Sequence, residues 1–555
     1  MNRKTGKNAA CGIMLVFLAF LIVLPIITVF LRAVIVDGRL DLSYAAETLA
    51  DPDNVTTLTN SLILGALVVL VTTLLATPLA FILARTRFAR MKWLDIVMMI
   101  PFMTPPYIAS MGWIQFMQKR GLFQQLFPWT GSFSENFFSL GGLVLVMSFH
   151  SYPFMTGMIK NAILNINGSL EESARVSGGR PAFVFRKITM PLLTGNYAIA
   201  MLMVFVKTLS EYGTPATLGN RIGFRVFTTD IHRYASTSPI DFGKASALSS
   251  VLVLICMIVW LLQTRVTARH TYSLVGARGG RQAELNTGRG VTIASAVYII
   301  ALILCSIGVP YFSIIATSLI KLRGYGLARG NFTFAHYIEL FTESPEAGRA
   351  ILTSLFLAVS AATIASVIGV TVVTIAHKSG RWKRPIEGEA LLPQMIPNIV
   401  FAIGLMILWN KLYDVLPLYN TLGFMILVYV VMFLPYSVQY TSSAMIQIGE
   451  TLSEAGQVFG GSRFYIFRRI VLPLVMRGVL YGWMMIFIIS FRELVASSLT
   501  SPPNVLTVST YIVSEFEQGS VSNGMCMAVI CVAITTTLLI ILNAVSGTKR
   551  GRGKN

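Results

Sequence analysis

The chain has 555 residues, of which 54% are apolar and only 12% charged, with a net charge of +20 and a mean hydropathy of +0.69. Soluble proteins of ordinary composition carry about 25% charged residues, and no soluble core has a use for this much apolar sequence. Disorder and nucleic-acid binding are excluded with it, despite a pI near 9.9. The remaining class is a polytopic membrane protein whose basic residues mark cytoplasmic loops.

Stretches of about 20 mostly apolar residues predict membrane helices. They fall at 11–33, 58–84, 94–116, 141–163, 190–211, 241–263, 291–319, 350–376, 387–410, 421–446, 472–495 and 522–546. The third and ninth contain Pro101, Pro105, Pro106, Pro393 and Pro397 and are expected as kinked spans, since neighbouring helices re-satisfy the freed backbone groups. The first follows Arg3, Lys4 and Lys7, but its apolar run is longer than a signal core and no small-x-small site follows, so it reads as a retained anchor. Basic residues gather in the N-terminus, around Arg85, Arg87, Arg90 and Lys92, in 265–289, from Lys378 to Arg384 and in the C-terminal tail. The intervening loop 34–57 is acidic, with Asp37, Asp41, Glu47, Asp51 and Asp53. This asymmetry places both termini in the cytoplasm, which requires an even number of spans. The stretch 117–140, with Phe123, Phe127, Trp129 and Phe133 after Trp113, is expected outside as an interfacial or partner-contacting helix.

An internal repeat organises these spans. Residues 172–191, ESARVSGGRPAFVFRKITMP, align with 454–473, EAGQVFGGSRFYIFRRIVLP, at an offset of 282. The register continues into the next span, where Glu211 meets Glu493. Upstream, Pro101 and Pro105 match Pro393 and Pro397 at an offset of 292. The expected fold is therefore all-α, about twelve transmembrane helices as two parallel six-helix repeats. The first half is 1–263, the Arg- and Gly-rich segment 264–290 is a cytoplasmic linker, and the second half is 291–555.

Both repeated segments carry E-x-[AG]-x-x-x-G, nine residues, then I-x-[ML]-P. The local chemistry predicts a short amphipathic helix over 170–176 and 452–458, a glycine pair that breaks it, a second helical stretch over 181–188 and 463–470, and a proline opening the next span. A helix–Gly–helix element suits docking into a partner's groove. Two copies in register argue against a mere connector whose arginines face headgroups. The pattern resembles the EAA loop of permease subunits of binding-protein-dependent ABC importers, and the resemblance covers the whole chain as two fused halves. It implies an inner-membrane multi-pass permease that is not itself an enzyme. Its expected partners are two copies of a cytoplasmic ABC ATPase and a periplasmic solute-binding protein, within a lipid bilayer. The implied ATPase-coupling residues are Glu172, Ala174, Gly178, Gly179, Ile188 and Pro191 in the first loop. In the second they are Glu454, Ala455, Gly460, Gly461, Ile470 and Pro473. The chain contains no G-x-x-x-x-G-K-[ST] loop, so no cofactor is expected on it and ATP belongs to the partner subunit.

Ionisable groups inside spans are candidates for the translocation pathway. These are Glu211 and Glu493 with Lys207, Arg492 and Tyr212 beside them. A second reading has the glutamates neutralise a basic neighbour or hydrogen-bond the loop that follows, and Lys207 sits one helical turn before Glu211. His150 reads as a hydrogen-bonded structural histidine. The other histidines show no metal-ligand spacing, and the five cysteines read as small hydrophobes. Neither a catalytic set nor a protein metal site is expected. The phrases SEYGTPATLG, RVFTTDIH and FRELVASS resemble the bacterial ferric-iron permeases within the importer group. That implies iron(III) as cargo, with thiamine, polyamines or phosphonates as alternatives in the same class. A secondary transporter with two six-span repeats would explain the symmetry but not the duplicated loops.

Overall fold

The computed structural model describes residues 2–36, 38–166, 168–269, 288–377, 379–448 and 457–547. Most of the linker 264–290, and Glu454 and Ala455 of the second loop, lie outside these residues. The protein is all-helical apart from a two-stranded ribbon pairing Ile35–Val36 with Arg39–Leu40 and one isolated bridge. Among the described residues, ten helices are long and apolar enough to cross a membrane, and the number is twelve if each of two further bent pairs counts as one span.

Those pairs are the predicted third and ninth spans, and they are broken rather than kinked. Lys92–Met103 and Pro106–Met117 meet at 88°, and Gly380–Gln394 and Asn398–Lys411 at 105°. The reason is local. A residue before proline avoids the helical region, so Thr104 is extended at ψ 134° and Pro105 follows at ψ 128°. Pro397 is likewise extended at ψ 136°. Proline also removes the amide that would pair with the carbonyl four residues back. The carbonyl of Pro101 accepts from His150 Nδ1 at 3.0 Å, which requires the Nδ1–H tautomer. His150 is thus a structural histidine, stacked on Phe102 at 5.6 Å.

Prolines elsewhere leave the helix continuous. Four π turns end two residues before a proline: Ala19–Val23 before Pro25, Phe185–Thr189 before Pro191, Leu304–Gly308 before Pro310 and Phe467–Val471 before Pro473. In each, the widened turn re-registers the ladder just where proline withholds a donor. The fifth span accordingly runs from Ala182 to Ser210, so Pro191 lies inside a long helix and does not open it.

The chain forms two compact units. One comprises Pro52–Asp230 and Leu254–Phe334. Here Pro52–Arg85 and Leu140–Leu164 pack along their lengths, and Ala182–Ser210 joins them, with Gly65 admitting the Phe205 ring. The helix Arg289–Leu319, the first of the second repeat, belongs to this unit. It is held by hydrogen bonds of Tyr311 to Thr104 at 2.8 Å, Tyr152 to Ser306 at 3.1 Å, and Tyr298 to the Leu75 carbonyl at 2.6 Å. The other unit comprises Met1–Asp51, Ile231–Val253 and Ala335–Asn555. Its centre is Pro345–His377, Leu422–Ile446 and Phe467–Phe491, brought close by Gly369, Gly478 and Gly482. The first helix of the chain, Asn8–Val34, belongs here, with Thr28 donating to the Gly404 carbonyl at 3.2 Å and Cys11 against Ser379 at 3.0 Å. The compact units therefore do not coincide with the expected halves 1–263 and 291–555, since each takes the first helix of the other half.

The stretch 117–140 is not one helix. Leu122–Leu126 is a single turn and half, Pro128 restarts the chain as a 3₁₀ segment, and Gly131 at φ +55° breaks it again. Phe137 stacks inward on Trp113 at 5.4 Å, while Trp129 and Phe133 stay exposed.

The exchanged helices seat on one notch used twice. A Cβ on Gly112 would lie 2.7 Å from the Pro310 carbonyl oxygen, and one on Gly404 2.5 Å from that of Pro25. These glycines are equivalent in the repeat at the offset of 292. Gly112→Val and Gly404→Val are each expected to cost about 1–3 kcal/mol by overpacking, read as a lower Tm of the purified chain in detergent. An unchanged Tm in both would contradict the notch.

Candidate functional site

The two repeated loops share geometry as well as sequence. In the first, helix Gly168–Val176 ends as Gly178 turns left-handed at φ +84°, and the Gly179 amide donates back to the Ala174 carbonyl at 2.9 Å. That is a Schellman closure, and glycine serves it because a side chain at positive φ is strained. Gly179 is held separately, since a Cβ there would lie 2.7 Å from the Ala174 oxygen. In the second loop Gly460 takes φ +80° and donates to the Gln457 carbonyl at 3.0 Å. The chain then re-enters a helix at Pro181–Val184 and Arg463–Ile466, and both continue through the π turn into the span.

Burial follows the same register. Val184 and Ile466 are buried, as are Thr189 and Val471, while Ile188 and Ile470 are half-buried. The opposite face is exposed and apolar: Val176 is 89% exposed, Val458 84% and Phe459 90%, with Phe183 and Tyr465 beside them. Glu172, Gly178, Gly460, Pro191 and Pro473 are exposed, and Ala174, Gly179 and Gly461 half-buried. Isolated apolar residues on a surface are ordinary, but here the exposed apolar set recurs at equivalent positions of the two loops.

Sequence reasoning missed one feature of the first loop. Glu171, next to the exposed Glu172, is buried and receives Arg85 Nη2 at 3.1 Å and the Thr189 hydroxyl at 3.0 Å. Arg85 reads in the sequence as one more basic orientation mark. It is buried at the C-terminus of the helix Pro52–Arg85, where a cation also complements the helix dipole.

Glu211 and Glu493 occupy equivalent places and do equivalent work. Each follows the end of a long helix and caps the short helix after it. Glu211 takes the Thr214 amide on both oxygens at 3.1 Å. Glu493, buried, takes Val495 at 2.9 Å on one oxygen and Ala496 and Ser497 at 2.9 and 3.1 Å on the other. Both glutamates thus hydrogen-bond the segment that follows, and among the described residues Lys207 forms no ion pair with Glu211. Lys207 instead lies 5.1 Å from both the Phe102 and Phe154 ring centroids, a cation–π cradle. Tyr212 and Arg492, half-buried, flank the two glutamates, and the Tyr212 carbonyl accepts from Ala216 at 2.8 Å. Among the described residues no three His, Cys, Asp or Glu side chains cluster as metal ligands would.

The family model described as the binding-protein-dependent transport system inner membrane component matches twice, at residues 76–272 and 365–548. The chain belongs to this family. Each match contains one of the twin loops. Among its relatives, a putative ferric transport system permease protein, FbpB 1, of Haemophilus influenzae is 25% identical over 84% of this chain and 73% of its own length. The Fe(3+)-transport system permease protein FbpB 2 of the same organism is 24% identical over 89% of this chain and 91% of its own length. A ferric transport system permease protein of Actinobacillus pleuropneumoniae is 23% identical over 97% of this chain and 78% of its own length. The chain is an ABC importer permease, a multi-pass inner-membrane protein in which the family's module occurs twice.

The two caps predict unequal sensitivity. Glu493→Gln turns an amide NH₂ toward backbone donors in a buried site, and is expected to cost about 1–3 kcal/mol. Glu211→Gln, half-buried and engaging fewer backbone amides than Glu493, should cost less. Thermal unfolding of the two variants in detergent checks the order, and equal Tm values would contradict the capping role of Glu493.

Proposed function

We propose that this chain is the complete pore of a binding-protein-dependent importer, powered by two copies of a separate ATPase, one on each loop. The observation that carries the reading is the pair of loops, alike in their left-handed glycine, π turn and exposed apolar face. The coupling residues are Glu172, Ala174, Gly178, Gly179, Ile188 and Pro191, with Gly460, Gly461, Ile470 and Pro473, and with Glu454 and Ala455 from the sequence. The loops and both termini lie in the cytoplasm, in keeping with the distribution of basic residues. A periplasmic binding protein delivers solute to the opposite face. ATP binding closes the ATPases, the docking helices move with them, and the spans open outward. Hydrolysis returns the site to the cytoplasmic side. Lys207, Tyr212 and Arg492 stand beside the path, and the capped Glu211 and Glu493 fix the loops that shape it.

The cargo best supported is iron(III). The relatives named for ferric transport extend over most of this chain, and the phrases around Glu211 and Glu493 favour the same subgroup. Because backbone amides engage both glutamates, the metal would pass without a carboxylate cage built from them.

Replacing Gly178 and Gly460 together by Ala strains two left-handed turns by about 1–2 kcal/mol each. Insertion of the chain should persist. Co-purification of the ATPase should weaken about tenfold, and uptake of radiolabelled ferric iron by cells should fall with it. Normal co-purification and uptake would defeat the docking role. If wild-type cells take up labelled spermidine or thiamine in place of iron, the cargo assignment changes while the docking role stands.

A further inference from the structure

The two docking loops are alike in backbone but not in how they are fastened. In the first, Glu171 on the docking helix, Arg85 at the end of helix Pro52–Arg85 and Thr189 in the π turn of Ala182–Ser210 meet at one buried point. The repeat puts Ser453, His377 and Val471 at the equivalent places. His377 ends the helix Pro345–His377 as Arg85 ends its counterpart, and Val471 is buried in the second π turn. Ser453 lies outside the described residues, but its chemistry settles the comparison, since serine brings no carboxylate and valine no hydroxyl. The second loop therefore lacks the components of this joint.

Burial gives the pair its mechanical meaning. The Arg85 and Glu171 side chains are only 5% and 8% exposed. Separating them would leave a buried charge without its partner, which is strongly unfavourable. Apolar contacts alone would let a loop slide at lower cost, because such contacts have no direction. The docking helix, the end of one span and the start of another thus move as one body in the first half.

We propose that Arg85, Glu171 and Thr189 form a positioning joint that makes the first docking loop transmit the ATPase stroke rigidly to two membrane helices. The second loop, lacking it, couples more loosely, so the two ATPase copies act on unequal levers. The inference rests on the docking role proposed above.

The test uses the whole transporter, chain with ATPase and binding protein, in lipid nanodiscs. Three quantities are read: ATPase bound per chain, basal ATP hydrolysis, and its stimulation by the binding protein. No binding of the ATPase to the wild type would bring down the docking role itself, independently of the joint. Arg85→Gln and Glu171→Gln should retain bound ATPase and basal hydrolysis while stimulation falls about tenfold, the size of an ordinary coupling free energy. Thr189→Val should give a smaller loss, about threefold, and Ser453→Ala and His377→Gln should stay within about twofold of wild type. A merely structural staple would lower the yield of complex without changing stimulation per complex. If a single variant does not accumulate, Arg85→Met with Glu171→Met removes both charges at similar side-chain length. That pair should be folded, ATPase-bound and unstimulated. Full stimulation in Glu171→Gln or in the Met pair overturns the joint, and an equal loss in Ser453→Ala overturns the inequality of the loops.

Discussion

A backbone amide or carbonyl left without a partner costs several kcal/mol inside a bilayer, and the architecture follows from how this chain meets that constraint around its prolines. Where two prolines adjoin, or one follows a 3₁₀ turn, the helix breaks at close to a right angle and a side chain takes over, as His150 does for the Pro101 carbonyl. Before Pro25, Pro191, Pro310 and Pro473 a π turn absorbs the missing donor within a continuous helix. Where a long helix ends and a short one begins, a glutamate accepts the first free amides. The bent third and ninth spans, the π turns and the capped glutamates are three answers to one backbone requirement.

Function is laid over this scaffold by repetition and by departure from it. The equivalent glycines at φ +84° and +80°, the equivalent π turns and the equivalent exposed Val176 and Val458 make two similar loops. The departures lie at the positions of the first loop's buried ion pair and hydroxyl. Arg85, Glu171 and Thr189 in one half correspond to His377, Ser453 and Val471 in the other. Duplicated permease modules in one chain are free to diverge in this way, because each copy carries its own loop.

Much of this was legible in the sequence, for physical reasons. Membrane helices announce themselves because about 20 apolar residues have few other uses. The loops were legible because the glycine spacing is tied to a left-handed turn that other residues resist. What was not legible depended on the third dimension. Arg85 reads as an orientation mark because nothing in its neighbourhood says that Glu171, 86 positions on, will bury it. Lys207 and Glu211 satisfy the spacing for an ion pair, but the helix ends at Ser210 and the carboxylate turns to the amides ahead of it. Proline spacing located the third and ninth spans, and the extended residue before each break set an angle that hydropathy does not contain. The 117–140 stretch looked helical by its aromatic content, where Pro128 and Gly131 decided otherwise.

The exchange of first helices bears on how the protein is made. The notch at Gly112 is complete in the nascent chain long before Pro310 has been synthesised, and Pro25 is inserted well before Gly404 exists to receive it. The unit centred on the first repeat cannot close until the helix Arg289–Leu319 of the second repeat has been made, so its earlier spans wait in the membrane as an open assembly. A break in the linker between the repeats would not yield two self-sufficient proteins. It would yield two fragments, each holding the other's missing first helix, that reach their packed state only by assembling together.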